Sequence, residues 1–276
     1  MNDLLKQETH FAFGKNWLDY AQKIDEPKIA QAVADLQRLN NGERLEGKTF
    51  LDIGCGSGLH ALAAIRLGAK SVSCVDIDPD SVQATKNTLA KFAPDTPAQV
   101  NVVSVFDMTP EQHGTYDVVY SWGVLHHTGD MDQAIRKAAA LVAPGGIFMI
   151  ALYKKTPFCG MWRVIKKRYT NADAVGQKQM MDFYLAVKHG IQRIRGIDYQ
   201  STIRDYAKNR GMNYYNDVHD WLGGYPYESI SSEECTQLFA ELNFTLVGAK
   251  IQPMSPGWGL FGSGCDEFSF IRNKRT

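Results

Sequence analysis

At 276 residues the chain has room for one large domain, or for one domain carrying an insertion. Hydrophobic residues make up 44% of it, enough for a sizeable core, and 30 Lys and Arg against 30 Asp and Glu leave zero formal charge, which argues against a protein that works by gripping nucleic-acid phosphates. The five cysteines form no CxxC pair, the N-terminal stretch MNDLLKQETHFAFGKNW is too polar for a signal peptide, and no apolar run reaches the roughly 18 residues of a membrane span; no disulfide framework, zinc site or membrane association is expected, and the cytoplasm is the expected compartment.

Along the chain, Trp17, Tyr20, Ile24, Ile29, Val33, Leu36 and Leu39 recur at helical spacing, with Pro27 marking a break. Strand and helix then alternate. Thr49–Ile53 is an apolar run ending in a glycine-rich turn, and His60–Leu67 continues as a helix stopped by Gly68. Ser71–Val75 is a second strand; Asp78 and Pro79 read as an N-cap and first helical residue, with the helix running from Val82 to Phe92. Val100–Val105 and Tyr116–Tyr120 are the third and fourth strands. The apolar face Met131, Ala134, Ile135, Ala138, Leu141 and Val142 is a helix closed by Pro144-Gly145-Gly146, and Ile147–Leu152 is the fifth strand.

After Tyr153 the pattern becomes helical. Phe158–Tyr169, Met180–Ile194 and Thr202–Asn209 are predicted helices, the segment from Tyr214 to Glu228 reads as an aromatic-rich loop, and a further helix at Glu233–Leu242 precedes two closing strands, Thr245–Ile251 and Glu267–Ile271. Gly257, Gly259, Gly262 and Gly264 are expected to make the turn before the last of these. The alternation predicts an α/β fold: a doubly wound, mostly parallel, seven-stranded Rossmann-like sheet with an N-terminal helix and a helical insertion after strand five. The expected organisation is an N-terminal helical lid over 1–46, a cofactor-binding core over 47–153, an acceptor-binding insertion over 154–230, and a last helix and strands over 231–276 that complete the core.

The segment Asp52-Ile53-Gly54-Cys55-Gly56-Ser57-Gly58 leaves a strand and enters a helix, where ligands of open α/β sheets bind. It departs from the dinucleotide fingerprint: Leu59 stands where a small residue is needed, and the third glycine comes one residue early. The turn opens with a carboxylate, Asp52, which suits a cation better than a pyrophosphate. Asp76 ends the second strand about 20 residues on, where an acid accepts hydrogen bonds from a ribose diol. A ligand with an adenosine ribose, a positive charge and no phosphate satisfies both, as S-adenosylmethionine does.

The chain here resembles the class I S-adenosylmethionine-dependent methyltransferase superfamily. The resemblance lies in FLDIGCGSGLH (Phe50–His60), VDIDP (Val75–Pro79), Phe106-Asp107, YDVVYSWGVLHHTGD (Tyr116–Asp130) and LVAPGGIFMIALY (Leu141–Tyr153), and it covers roughly residues 48 to 153. It implies that Gly54, Gly56 and Gly58 form the pocket floor, Asp76 holds the ribose hydroxyls, Ile77 lies on the adenine, Asp107 meets the adenine amino group, and Asp52 with the backbone near Ser121 holds the methionine end. S-adenosylhomocysteine would be the product. Phe13, Gly14, Asn16 and Trp17, the segment YSWGVLHHTG, and DWLGGYPYE (Asp220–Glu228) resemble a bacterial subgroup of small-molecule and glycan-modifying methyltransferases.

Several residues carry two readings. His126 and His127 follow the fourth strand and either include a general base or shape the pocket; adjacent in sequence, they cannot chelate a metal as a helical pair. Tyr214, Tyr215, His219, Trp221, Tyr225 and Tyr227 are either a packed lid or an acceptor pocket, with His219 or Asp220 as a second candidate base and Trp122 and His127 as further acceptor contacts. Lys154, Lys155, Arg163, Lys166, Lys167 and Arg168 read first as a solvated helix face and second as a grip on an acidic acceptor. Phe11, Phe13 and Trp17 are either a lid over the cofactor or ordinary packing. The expected reaction is methyl transfer to a hydroxyl of a sugar or other small molecule, the alternatives being nitrogen or sulfur of a cationic or amino-acid-like acceptor and, behind them, RNA or protein. Oligomeric state stays open.

Overall fold

The computed structural model describes residues 13–210, 214–253 and 259–274. Helices α1 (Gly14–Gln22) and α2 (Glu26–Leu39) precede the sheet. Asp25 separates them: its side chain accepts from the Lys28 N–H, and Pro27 sits in the first turn of α2, where its missing donor costs nothing. The core then runs β1 (Thr49–Ile53), α3 (Leu59–Arg66), β2 (Ser71–Asp76), α4 (Pro79–Phe92), β3 (Ala98–Val102), α5 (Pro110–His113), β4 (Tyr116–Trp122), α6 (Met131–Ala140) and β5 (Val142–Tyr153). Helices α7 (Cys159–Thr170), α8 (Ala174–Ile194), α9 (Tyr199–Arg210) and α10 (Tyr214–Gly223) follow, then α11 (Ser232–Glu241), β6 (Phe244–Lys250) and β7 (Cys265–Arg272).

The seven strands lie in the order β3-β2-β1-β4-β5-β7-β6. β1 to β5 are parallel, and β7 runs antiparallel to both β5 and β6. This is the doubly wound, mostly parallel sheet expected of the sequence. Alternate side chains feed two cores: Leu51, Ile53, Val119, Phe148 and Ile150 pack beneath α6 and α11, while Phe50, Val72, Val118, Tyr120 and Met149 pack beneath α2 and α3. Phe50, Leu51 and Phe148 are wholly buried, each burial contributing about 1.5–3 kcal/mol. A third cluster, with Trp162, Tyr169, Leu185, Val218 and Leu222, belongs to the inserted helices.

Three expectations need correction. The third strand ends at Val102 rather than Val105, because Ser104 accepts the Phe106 N–H and turns Val105–Asp107 into a 3₁₀ helix. Pro144-Gly145-Gly146 lies inside β5, which pairs with β4 from Tyr116↔Val142 onward across an irregularity, rather than closing α6, which ends at Ala140. The first half of the aromatic segment is helix α10, since Tyr214, Val218 and Leu222 recur at helical spacing and are all buried. Gly259 and Gly262 do form the turn before β7, with φ of +94° and +120°, whereas Gly257 and Phe11 lie outside the described residues.

No helix among the described residues is long and apolar enough to cross a membrane. Helix α5 has four residues and leaves a cavity of about 430 Å³ on β2 and β3, lined by Ser73, Val75, Gln99, Asn101 and His113. Its lining includes none of the residues of the glycine-rich turn.

Candidate functional site

The turn between β1 and α3 sits at the carboxyl edge of the sheet. Gly54, Gly56 and Gly58 all have positive φ, at +77°, +51° and +75°. A Cβ on Gly54 would lie 2.4 Å from a Val124 methyl, so only glycine fits there. A Cβ on Gly56 would lie 3.1 Å from the Trp17 indole, so the first helix already rests on the turn.

Asp52 lies beneath this turn, 2% exposed. Burial first, and the charge of Asp76 second, push its carboxyl up to about 8, against a hydrogen bond from the Ala61 backbone. Asp76 accepts the Gly56 N–H at 3.1 Å and the Asp78 N–H at 2.9 Å, yet desolvation still raises it to about 6. Ile77 follows, partly exposed, and Asp107 is exposed on the 3₁₀ helix beyond β3. Ser121 is buried, its hydroxyl donating to the Ile53 carbonyl at 3.0 Å, which ties β4 to β1 beside the turn. Two desolvated carboxylates thus flank a glycine-floored turn, and neither has an ion-pair partner among the described residues. The chemistry of two such carboxyls suits a cationic ligand, and Trp17 lies against Gly56 at the same turn.

The first turn of α1 touches three parts of the molecule. The Gly14 N–H donates to Asp78 Oδ2 at 2.9 Å, while Asp78 Oδ1 caps α4 through the Asp80 N–H. Asn16 Nδ2 donates to the Asp220 carboxylate of α10. The Phe13 ring stands 5.5 Å from that of His127. Only the motif was legible in the sequence; its partners, Asp78 and Asp220, were not.

The candidate acceptor residues divide into two groups. Around Tyr153, the last residue of β5, gather His126 at 3.9 Å between ring centroids, His127 and Tyr227 at 5.3 Å, and Trp221 at 5.5 Å. His126 is wholly buried. Its Nδ1 accepts the Tyr153 N–H at 3.2 Å, so the neutral ring carries its hydrogen on Nε2. Burial and the neighbouring His127 and Lys166 hold it well below the usual histidine range. His127 Nδ1 donates to the Pro226 carbonyl at 2.7 Å, and the Glu228 N–H donates to the His126 carbonyl at 3.0 Å, which fastens the Asp220–Glu228 segment to the end of β4. Tyr225 is half-buried in this segment. Tyr227 is wholly buried, its hydroxyl between Cys159 Sγ at 3.4 Å and Ser263 Oγ at 3.0 Å.

Asp220 joins this group. Desolvation lifts its carboxyl to about 7, against the Asn16 hydrogen bond and the charge of Lys166, with Asp217 adding to the rise. His219 points along α7 instead: its Nδ1 is 2.5 Å from the Tyr169 hydroxyl, and burial lowers it.

The second group lies apart. Tyr214 is buried among the inserted helices with its hydroxyl 3.3 Å from His189 Nε2, and the exposed Tyr215 meets the Tyr199 hydroxyl at 3.2 Å. Trp122 ends β4, exposed at 39%, and donates to Glu267 at 3.2 Å. The aromatic segment therefore divides: Tyr214 serves the insertion's own core, Tyr215 lies exposed on its surface, and the residues from Trp221 onward approach the end of the sheet.

One residue of the expected solvated face is misplaced by that reading. Lys166 is 0% exposed. Its ammonium donates to the Trp221 carbonyl and stands 3.7 Å from the Trp221 ring centroid, 5.1 Å from Tyr227 and 5.6 Å from Tyr153. The flanking Lys167 and Arg168 are exposed as expected. Only its place on the same helical face as Trp162 and Tyr169 hinted at burial. Among the described residues no three His, Cys, Asp or Glu side chains cluster as metal ligands.

Comparison with known proteins agrees with this geometry. Residues 51–148 match a family model described as a methyltransferase domain. The fold is the class I methyltransferase fold. A ubiquinone biosynthesis O-methyltransferase of Xanthomonas euvesicatoria pv. vesicatoria (strain 85-10) is 30% identical over 158 residues, 57% of this chain and 64% of the relative. The chain spans between 51% and 64% of the length of the first curated relatives. Among solved structures, magnesium protoporphyrin IX methyltransferase from Synechocystis PCC 6803 with bound SAH superposes with a TM-score of 0.52 at 15% identity, over 94% of this chain and 86% of the other. An O-methyltransferase family protein from Burkholderia thailandensis gives 0.56 at 14% identity, over 100% of this chain and 68% of that one.

Proposed function

We propose that the protein transfers a methyl group from S-adenosylmethionine to a hydroxyl of a small-molecule acceptor, a sugar or another metabolite. The observation that carries this reading is Asp52: a buried carboxylate at the glycine-floored turn, lacking a cationic partner among the described residues. The names of the curated relatives and the bound SAH of a fold neighbour support the same cofactor. The resemblance of the FGxNW turn and the DWLGGYPYE segment to bacterial small-molecule and glycan-modifying enzymes supports a small-molecule acceptor.

When bound, S-adenosylmethionine supplies a methyl group already activated by its sulfonium. The chain's own residues then have three tasks. Asp52 and the Gly54–Gly58 turn hold the cationic amino-acid end, and Asp76 exchanges its backbone donors for the ribose hydroxyls, with Ile77 and Asp107 toward the adenine. The cluster around Tyr153 orients the acceptor, since alignment supplies much of the rate of a displacement whose donor is already activated. Asp220, whose carboxyl burial lifts to about 7, would accept the hydroxyl proton as the acceptor oxygen takes the methyl and the carbon–sulfur bond breaks with its electron pair left on sulfur, and would return that proton to solvent. His126 fits this role less well than the sequence suggests: its one basic nitrogen is occupied by the Tyr153 N–H, so it serves as a donor in the acceptor site.

Methylation of nitrogen or sulfur on a cationic acceptor is the second reading, and the aromatic cluster is what favours it. The test is incubation with methyl-labelled cofactor and a panel of sugars, hydroxy acids, phenols and amines, followed by identification of the labelled product. Label on a hydroxyl is expected; label on an amine favours the second reading, and label only on RNA or protein overturns both.

A further inference from the structure

An aromatic box that opens to solvent selects a cationic ligand, because ring faces attract positive charge. The box formed here by Tyr153, Trp221 and Tyr227 is already filled from within, by the ammonium of Lys166. A second cation has no place in it.

Two further buried N–H donors lie in the same cluster. His126 Nε2 and Trp221 Nε1 are both buried with no hydrogen-bond partner among the described residues. His126 Nε2 bears the ring hydrogen because Nδ1 accepts the Tyr153 N–H. Lys166 itself donates to the Trp221 carbonyl and, among the described residues, has no carboxylate in hydrogen-bond contact; burial pushes it well below the usual lysine range, against the charges of Cys265 and Asp220, and Asp220 is itself engaged by Asn16. Buried N–H groups left unpaired cost free energy, and a buried amine that burial drives toward its neutral form regains its charge when an anion is placed against it. The two unpaired N–H groups and the Lys166 amine belong to one aromatic cluster, in which only the Lys166 amine is given an acceptor among the described residues. The complement to this set is a group with several oxygen lone pairs and a negative charge.

We propose that the acceptor carries an ionised oxygen group, a carboxylate or a comparable acid, and that Lys166, with the N–H groups of His126 and Trp221, forms the subsite that receives it. The flat rings of Tyr153, Trp221 and Tyr227 suit an acid borne on an aromatic or similarly planar frame. Lys166 is thereby a specificity-determining residue. It also separates the two readings above, since an acceptor that is itself a cation is rejected by the lysine that occupies its box. The inference rests on the methyltransferase reading, and its test keeps the two apart.

The test uses the full chain saturated with S-adenosylhomocysteine, titrated calorimetrically with two probes of one shape, para-hydroxybenzoate and its uncharged amide, para-hydroxybenzamide. The acid is expected to bind at least about tenfold more tightly than the amide. In Lys166→Met that preference falls below about twofold, while Lys166→Arg keeps most of it and S-adenosylhomocysteine binding is unchanged in both. Replacing this buried amine by an apolar chain of similar length leaves the fold intact; if Lys166→Met fails to fold, Lys166→Gln takes its place. Equal affinity for the two probes, a preference that survives Lys166→Met, or no saturable binding of either overturns the proposal. Failure of S-adenosylhomocysteine itself to bind overturns the methyltransferase reading instead.

Discussion

Asp52 and Asp220 are both carboxylates that burial lifts far above their ordinary range, and they answer to different partners. Asp52 sits near 8 in the ligand-free protein, so at neutral pH it is mostly protonated. A cationic ligand favours its ionised form, and binding therefore releases a proton and strengthens as pH rises toward 8. The same shift has a stability consequence. A carboxyl raised from 3.8 to about 8 contributes its stability fully below the lower value and loses it as pH rises through the upper one. Asp52→Asn should thus melt higher than wild type by a few degrees above pH 8, with little gain at pH 5, and should bind S-adenosylhomocysteine at least about a hundredfold more weakly. Scanning calorimetry and titration across that range check both signs. In the proposed reaction the ionised form of Asp220 is the base, so methyl transfer should rise with pH through a midpoint near 7. Removing the Asn16 donor in Asn16→Leu should move that midpoint upward, because the hydrogen bond favours the carboxylate. Asp220→Asn should lower kcat about a hundredfold or more without loss of cofactor affinity, as pH–rate profiles and binding measurements will show.

At the scale of elements, α1 is the piece that touches both halves of the site. Its first turn holds Asp78 at the cofactor side and Asp220 at the acceptor side, and its indole covers Gly56. Trp17→Ala should weaken S-adenosylhomocysteine binding about tenfold, and hydrogen exchange of Gly14–Gln22 should slow on binding; exchange unchanged there would mean that the helix merely packs. Much at this scale was legible in the sequence. The strand–turn–helix at Thr49–Arg66 was, because its apolar run, glycines and helix periodicity are all local. Helix α10 was not, because Tyr, Asp and Gly in its sequence carry turn chemistry, and only packing against α7 and α8 makes Tyr214, Val218 and Leu222 one buried face. The acceptor cluster escaped for the same reason at longer range. Asn16 meets Asp220 across 204 residues and Lys166 meets Trp221 across 55, and no spacing rule reaches so far.

Over the whole molecule, the sheet supplies one edge and the insertion supplies the wall opposite. The Asp220–Glu228 segment is pinned to the end of β4 by the His126 carbonyl and His127 Nδ1, and Glu228 accepts the Met131 N–H at the start of α6 at 2.9 Å. The glycine-rich turn, the Tyr153 cluster and the Asp220–Glu228 segment are thus joined by hydrogen bonds, and α1 bridges Asp78 and Asp220. The central claim is that the carboxylate-flanked turn takes a positively charged nucleoside. Calorimetric titration of the protein with S-adenosylmethionine, beside a nicotinamide dinucleotide, tests it most directly. One-to-one binding of the sulfonium nucleoside, lost in Asp52→Asn, with none of the dinucleotide, is the predicted result; binding of the dinucleotide alone would contradict it.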